Sequence, residues 1–300
     1  MFFIIKTNTA AVAQPETAAA NKAGDDSLMK KWKKITVVLL AAAAFAAVFS
    51  VGVSALQGGS FQLLSGADGD LQPEILQRLY DNFIKDDRWK YLAEGLINTL
   101  IITFFAMIIG TVVGFLMAII RVAHDKNGSV PVLNVIAKLY ITIMRGTPVM
   151  IQLLIIYFVI FAAVDIDKVL VAIIAFGINS AAYVSEVVRS GIMSIDNGQF
   201  EAGKSLGLGF PTTMIHIILP QAFKNILPAL GNEFISLLKE TSISGYIGLM
   251  DLTRGGDYIR SVTYEAFLPL IAVALIYLAI VILLSAGVSK LERSLKKNER

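Results

Sequence analysis

Apolar runs long enough to cross a lipid bilayer recur along this chain and restrict its fold to helices. A hydrocarbon core of roughly 30 Å takes about 20 apolar residues per helical crossing. Such runs occupy residues 35–56, 95–120, 132–164, 170–193 and 267–288. They are too continuous for the strands of a membrane barrel, which alternate apolar and polar positions. With 56% hydrophobic and 16% charged residues, the sequence predicts an all-α integral membrane protein.

The charges at the start of the chain predict its orientation. Residues 1–34 are polar and without helical periodicity, which predicts a disordered tail. Lysines concentrated at positions 30–34 place this tail in the cytoplasm. The run at 35–56 is longer than a usual signal core, so we expect a retained N-terminal transmembrane helix or uncleaved signal anchor. A cleavable signal is the alternative, because residues 53–55 are small.

Two further polar regions, residues 57–94 and 291–300, are assigned to sides of the membrane from their charge. Residues 57–94 are polar and net acidic, which predicts an extracytoplasmic loop. After Pro73, apolar residues recur at helical spacing, which predicts an amphipathic helix with Trp89 and Tyr91 at headgroup level. A surface helix packed on the loop itself is the alternative. Residues 291–300 are basic and are predicted to form a cytoplasmic tail.

Two segments of the core depart from a simple apolar crossing. The run at 132–164 contains Arg-Gly-Thr-Pro at positions 145–148, which predicts a break or kink. Residues 222–243 form a further crossing that is unusually polar, and polar groups there must face protein, water or a substrate route. Its polar and charged residues include Lys224, Asn225, Asn232, Glu233, Lys239 and Glu240. The chain then has six crossings with both termini in the cytoplasm.

Composition excludes several kinds of chemistry. The chain has no cysteine, which excludes disulfides, thiol catalysis and thiolate metal sites. His124 and His216 lie far apart and lack ligand-spaced partners, so no metal site is predicted. The net charge of +3 is modest, and the basic residues flank hydrophobic runs. Nucleic acid is therefore not an expected partner.

The segment 196–220 permits two incompatible interpretations. Gly198, Gly203, Lys204 and Ser205 match the G-x-x-x-x-G-K-[ST] pattern of a phosphate-binding loop. Such a loop joins a strand to a helix, but an apolar helix-length run precedes Gly198. Glu201 would also place a carboxylate inside the anion cradle. We therefore interpret the match as fortuitous and predict that this chain is not an enzyme and binds no cofactor.

The second pattern in the same segment is more specific. Glu201 and Ala202 are followed by Gly203, by Gly207 after three further residues, and by Ile-Ile-Leu-Pro at positions 217–220. This resembles the cytoplasmic E-A-A signature of the membrane subunits of ABC importers, with Gly203 replacing the third small residue. The runs at 144–148, 181–192 and 231–243 are similar to the polar amino-acid branch, the histidine, glutamine, glutamate and arginine permeases.

The resemblance implies a fold and an assembly. It implies a type I ABC importer transmembrane domain at 95–290, a five-helix core to which the N-terminal helix is an addition, with a coupling hairpin at 196–220. The expected partners are a second permease subunit, identical or homologous, two ATP-binding subunits that use ATP and Mg, and an extracytoplasmic amino-acid-binding protein. The dimer would form the translocation pathway in the bacterial cytoplasmic membrane. A secondary transporter or channel without an ATPase partner is the alternative.

The resemblance and the intramembrane polar residues give two sets of candidate site residues. The residues expected to contact the ATPase subunit are Glu201, Ala202, Gly203 and Gly207. The candidate residues of the substrate pathway are Asn179, Tyr183, Glu186, Asn232, Glu233 and Lys239. Asn179, Tyr183 and Glu186 share a helical face. Glu186 would pair with a substrate ammonium group or with Arg189 or Arg145, and both arginines are expected to snorkel at the cytoplasmic edge.

Overall fold

The computed structural model describes residues 71–296, with side chains from 75 to 295. Within that range the chain is helical, which confirms the all-α prediction. The helices are α1 (Leu71–Leu79), α2 (Trp89–Asn127), α3 (Pro131–Gly146), α4 (Val149–Ile155), α5 (Lys168–Met193), α6 (Asn197–Ser205), α7 (Phe210–Thr213), α8 (Leu219–Glu240), α9 (Leu252–Thr263) and α10 (Phe267–Lys296). The predicted tail at 1–34 and the crossing at 35–56 lie outside the described residues.

Helices α2 and α5 form the centre of the subunit. Their backbones approach closely because glycines lie at the contact: a Cβ on Gly110 would meet the Ser180 Oγ at 2.7 Å, and one on Gly114 would meet the Ala181 carbonyl oxygen at 2.7 Å. Within a lipid bilayer the hydrophobic effect does not drive helices together, and small residues favour their association by allowing such close packing. The most apolar stretch of α5 is 67% buried within the subunit, against 11% for α10. The α2–α5 pair is therefore the scaffold that positions the other helices.

By length and composition, α2, α5 and α10 could each cross a membrane. Helix α2 extends beyond the predicted crossing at 95–120 in both directions, so Trp89 and Tyr91 belong to a helix and not to the preceding loop. The early start has a tertiary cause, since a Cβ on Gly255 of α9 would lie 2.5 Å from the Tyr91 carbonyl oxygen. Packing against α9 thus holds the polar start of α2 helical.

The predicted break at 145–148 is confirmed. Helix α3 ends at Gly146, α4 begins at Val149, and the two axes meet at 106°. Thr147 and Pro148 have extended backbone angles, as expected when proline disfavours helical geometry in the residue before it. Helices α3 and α4 together could form a fourth, bent crossing, which continues through a π-helical turn at Ile156–Ile160.

The helix predicted after Pro73 is present as α1 and the wider turn Tyr80–Ile84 that follows it. Phe83 packs into a small apolar cluster with residues of α2, α9 and α10. Beside this cluster, Asp251 caps α9 and accepts hydrogen bonds from the backbone N–H groups of Arg254 and Gly245, at 2.8 and 2.6 Å. Burial raises the pKa of Asp251 to about 6, although these donors oppose the shift.

Candidate functional site

The segment at 196–220 folds as a helix, a glycine turn and a second helix. Gly207 adopts φ +76°, a left-handed conformation that glycine takes at little cost. The Leu208 N–H donates to the Gly203 carbonyl at 3.0 Å, and the Gly207 N–H donates to the Lys204 carbonyl at 3.0 Å. This is the Schellman arrangement that closes a helix C-terminus. Gly207 is therefore required by the turn between α6 and α7.

The other residues of the signature divide between the two sides of the hairpin. Gly203 is buried, and a Cβ there would lie 2.6 Å from the Oγ1 and Cγ2 atoms of Thr213 on α7. Glu201 and Ala202 are exposed, and Leu206 beside the turn is 76% exposed. Gly203 thus contributes to packing inside the hairpin, whereas Glu201, Ala202 and Leu206 form a surface that a partner can contact.

The residues that match a phosphate-binding loop do not form one. Gly198, Lys204 and Ser205 all lie in α6, a regular helix. At its N-terminus the Asp196 carboxylate accepts a hydrogen bond from the Gly198 N–H at 2.6 Å. The position that an anion would occupy at a helix N-terminus is thus held by a carboxylate.

A cavity of about 360 Å³ lies between α2, α3 and α5, toward the C-terminal ends of α2 and α5. Its lining residues are Arg121, Lys138, Ile141, Thr142, Arg145 and Glu186. The lining therefore carries three cationic side chains and a single carboxylate. Such an excess of positive charge in a partly enclosed site favours an anionic group in a ligand.

Glu186, one of the predicted pathway residues, is held by arginines. Arg121 donates to its Oε1, and the Arg189 Nη2 lies 3.3 Å from its Oε2. Of the alternative arginine partners considered from the sequence, Arg189 pairs with Glu186, and Arg121, which was not considered, is a second partner. Arg189 also approaches Asp125 at 4.0 Å. The side chains of Arg121 and Glu186 are 13% and 25% exposed, so the pair is only partly desolvated.

Arg145 is exposed and lines the cavity. Its guanidinium carbon is 5.3 Å from the centroid of the Tyr183 ring, within the range of a cation–π contact. Tyr183 and Glu186, which the sequence places on one helical face, therefore both lie near this cavity.

Asn179 lies elsewhere, at the bend between α3 and α4. Its side-chain amide donates to the Gln152 Oε1 at 2.9 Å, and the Gln152 amide donates to the Met144 carbonyl at 2.9 Å and the Thr147 Oγ1 at 2.7 Å. The last carbonyls of a helix lack partners within the helix, and here side-chain amides supply them. Asn179 is 2% exposed and stabilises the bend. We refer to Asn179, Gln152 and Thr147 as the amide clamp.

The remaining candidates lie on α8. Asn232 and Lys239 are exposed, and Glu233 is half-buried. Sequence reasoning did not select Arg121, Lys138 or Thr142 as site residues. Arg121 was detectable as a basic residue at the end of an apolar run and Lys138 as a basic residue inside one, but nothing in the linear order shows that α2 and α3 bring them to the same cavity.

The chain belongs to the binding-protein-dependent transport system inner membrane components, a family that matches residues 110–297. It is a multi-pass permease subunit of the ABC importer class. The arginine transport system permease protein of Bacillus subtilis is 40% identical over 211 residues, 70% of this chain and 94% of that protein. A Rickettsia typhi permease provisionally assigned to glutamine transport is 40% identical over 210 residues, 69% and 94% of the two chains.

Solved structures support the same assignment. The crystal structure of an amino acid ABC transporter with histidines has a chain 41% identical to this one, at a TM-score of 0.64, with 71% of this chain and 98% of that chain covered. An inward-facing methionine ABC transporter matches at a TM-score of 0.60 and 21% identity, covering 68% and 96%, which supports the fold alone. The predicted type I importer transmembrane fold is confirmed.

Proposed function

We propose that this permease subunit carries amino acids across the bacterial cytoplasmic membrane and is driven by ATP hydrolysis through the hairpin of α6 and α7. The observation that carries the proposal is the division of the hairpin signature. Gly203 and Gly207 build a rigid turn, and Glu201 and Ala202 remain exposed beside it. An exposed carboxylate on a rigid helical hairpin suits a charge-paired contact with a partner groove.

The proposed assembly contains two permease subunits, identical or homologous, and two ATP-binding subunits that hold ATP and Mg. An extracytoplasmic amino-acid-binding protein delivers the substrate, and both termini of this chain are cytoplasmic. The chain itself binds no cofactor and hydrolyses no ATP. The helical geometry of the lysine-containing pattern in α6, with Asp196 at its N-terminus, supports this part of the proposal.

We place the substrate carboxylate in the cavity between α2, α3 and α5. Lys138 and Arg145 supply positive charge that the Glu186 carboxylate does not neutralise, because Glu186 is paired with Arg121 and Arg189. The volume of about 360 Å³ accommodates one amino acid. The relatives named for arginine and glutamine transport, and the amino acid ABC transporter solved with histidines, support amino acids as the substrate class. Tyr183, Asn232, Glu233 and Lys239 remain candidates for the rest of the pathway.

Charge reversal at the hairpin tests the coupling role. Glu201→Arg should assemble with the ATP-binding subunits and uncouple ATP hydrolysis from uptake in proteoliposomes. Glu94→Arg reverses another exposed glutamate, near the start of α2, and should transport normally. Wild-type transport by Glu201→Arg would count against the hairpin as the coupling contact.

Co-purification separates the importer from the alternative of a secondary transporter or channel. The chain should purify with ATP-binding subunits encoded by neighbouring genes, and uptake into vesicles should require ATP. Uptake that follows an ion gradient in the absence of ATP would establish the alternative. A ligand screen of the partner binding protein against the twenty amino acids then identifies the substrate.

A further inference from the structure

The last turns of α2 carry charged side chains that reach two different places. Arg121 lines the cavity and donates to Glu186. Lys126, near the end of the same helix, instead reaches α6, the first helix of the hairpin. Its Nζ lies 2.5 Å from the Asn197 Oδ1 and 4.4 Å from the centroid of the Phe200 ring.

The contact of Lys126 with α6 combines two interactions of different kinds. The ammonium group donates a hydrogen bond to the Asn197 amide oxygen, and it lies over the face of the Phe200 ring, where the ring quadrupole attracts a cation. Asn197 and Phe200 are three residues apart and so share one face of α6. We refer to Lys126, Asn197 and Phe200 as the α2–α6 contact.

Packing reinforces the α2–α6 contact. Phe200 packs against a buried apolar cluster that contains Val122, one turn before Lys126 on α2. The C-terminal end of a helix also favours a nearby cation, so Lys126 is well placed at the end of α2. The ring of Phe200 is therefore held between the apolar cluster and the ammonium group.

The continuity of α2 relates this contact to the cavity. The helix is uninterrupted from Trp89 to Asn127, so Lys126 and Arg121 lie on one rigid element with a rise of about 1.5 Å per residue between them. A displacement of α6 that pulls Lys126 also displaces Arg121, which holds Glu186 at the cavity wall. The geometry thus provides a short mechanical path from hairpin to cavity.

We propose that Lys126 is a positioning residue for coupling, which transmits the movement of α6 to α2 and so to the Arg121–Glu186 pair. The inference rests on the proposed function, because it assumes that an ATP-binding subunit displaces α6. It assigns Lys126 no contact with substrate or nucleotide.

The test compares Lys126→Met with Lys126→Arg in the complete complex, reconstituted with binding protein and ATP-binding subunits. The probe is an equimolar mixture of radiolabelled arginine, glutamine and histidine, and the measured quantity is amino acid imported per ATP hydrolysed. Methionine keeps the length of the side chain and removes its charge. It should lower this ratio about fivefold, the order expected from a charged hydrogen bond and a cation–π contact together. Arginine preserves both interactions and should retain the wild-type ratio.

Further variants test whether the effect is specific to the α2–α6 contact. Lys290→Met removes the charge of an exposed lysine near the end of α10 and should leave the ratio unchanged. Phe200→Leu keeps an apolar side chain and removes the ring, so it should lower the ratio less than Lys126→Met. The double variant of Lys126→Met and Phe200→Leu should be no worse than Lys126→Met alone, because both changes interrupt the same contact.

The outcomes distinguish the inference from the proposed function. A wild-type ratio in Lys126→Met, additive losses in the double variant, or an equal loss in Lys126→Arg would each overturn the role of Lys126. Failure of Lys126→Met to retain the ATP-binding subunits would also overturn it, since that result makes Lys126 an assembly residue. Failure of the wild-type complex to import with ATP would instead refute the proposed function.

Discussion

Asn179 and Glu186 lie on one side of α5 and differ in charge, exposure and partners, although in the sequence both are polar residues of the same apolar run. Asn179 belongs to the amide clamp, a neutral network whose two amide side chains are buried and whose hydrogen bonds complete the end of α3. Glu186, about two turns further along, belongs to a charged and partly exposed group beside the cavity. The comparison shows that a polar residue inside a membrane helix can stabilise a break or shape a ligand site.

The two sites differ physically in whether their hydrogen bonds and charges are already compensated within the protein. A buried polar group is tolerated when its hydrogen bonds are made, and the amide clamp uses its own donors and acceptors. The cavity carries more positive than negative charge, and an incoming carboxylate lowers the cost of that imbalance. Variants of the amide clamp should therefore change stability, and variants of the cavity should change transport.

The largest expected effect is that of Glu186→Gln. It leaves Arg121 and Arg189 without their shared carboxylate, so uptake should fall at least about tenfold and stability by roughly 2 kcal/mol. The measurements are uptake by the reconstituted complex and thermal unfolding of the purified subunit in detergent. The double variant Arg121→Gln with Glu186→Gln removes both charges of the Arg121–Glu186 pair and should recover part of the lost stability, because Arg189 still lacks its carboxylate, without recovering uptake. Full recovery of uptake would show that this pair serves structure alone.

The amide clamp is tested by Gln152→Ala. The change removes the Gln152 hydrogen bonds to the Met144 carbonyl and the Asn179 amide and leaves only the longer Asn179–Met144 contact at 3.4 Å, at a cost of about 2 kcal/mol. The melting temperature should fall, while the apparent affinity for the amino acid in uptake should hardly change. Gln77→Ala, at an exposed glutamine of α1, is the control and should melt like the wild type. A loss of affinity without a loss of stability would show that Gln152 belongs to the substrate site and does not stabilise the bend.

A smaller effect is expected of Arg145→Lys. Lysine preserves the positive charge but loses the planar contact with the Tyr183 ring. We expect the apparent KM for uptake to rise about threefold, corresponding to ~0.7 kcal/mol of lost interaction. Substrate titration of ATP-dependent uptake measures this directly. If Arg145→Lys and Arg145→Gln raised KM equally, charge would not be the property that the cavity uses.

The smallest effect is expected of Lys138→Gln. Lys138 is an exposed member of the cavity lining, and exposed charges contribute little because water screens them. The apparent KM should rise about twofold at low salt and less at high salt. A loss as large as that of Glu186→Gln would identify Lys138 as the main anchor of the substrate carboxylate.

Much of the fold was predictable from apolar runs and helix breakers. The break at 145–148 and the glycine turn at Gly207 were both expected from residues with known backbone preferences. A further signal in the sequence, the small residues Ala106, Gly110, Gly114 and Ala118 at every fourth position of α2, indicates a close helix contact. The structure shows α5 packed against Gly110 and Gly114.

The candidate site was predictable only in part. Tyr183 and Glu186 do lie near one cavity, but Asn179 on the same helical face does not, because the bend of α3 and α4 places Gln152 beside it. Arg121 and Lys126 were detectable only as charges that end an apolar run. Their partners, Glu186 for Arg121 and Asn197 for Lys126, lie more than 60 positions further along the chain.

The sequence by itself determined a helical membrane protein, the position of its main break and the hairpin signature, because these follow from local hydrophobicity and local backbone preference. Only the tertiary structure decided that Asn179 stabilises a bend, that Glu186 is shared by two arginines, and that Gly203 faces Thr213 while Glu201 faces outward. These properties depend on distances between helices that are remote in sequence. A charge or an amide acquires its role from the partner that packing brings within a few ångströms of it.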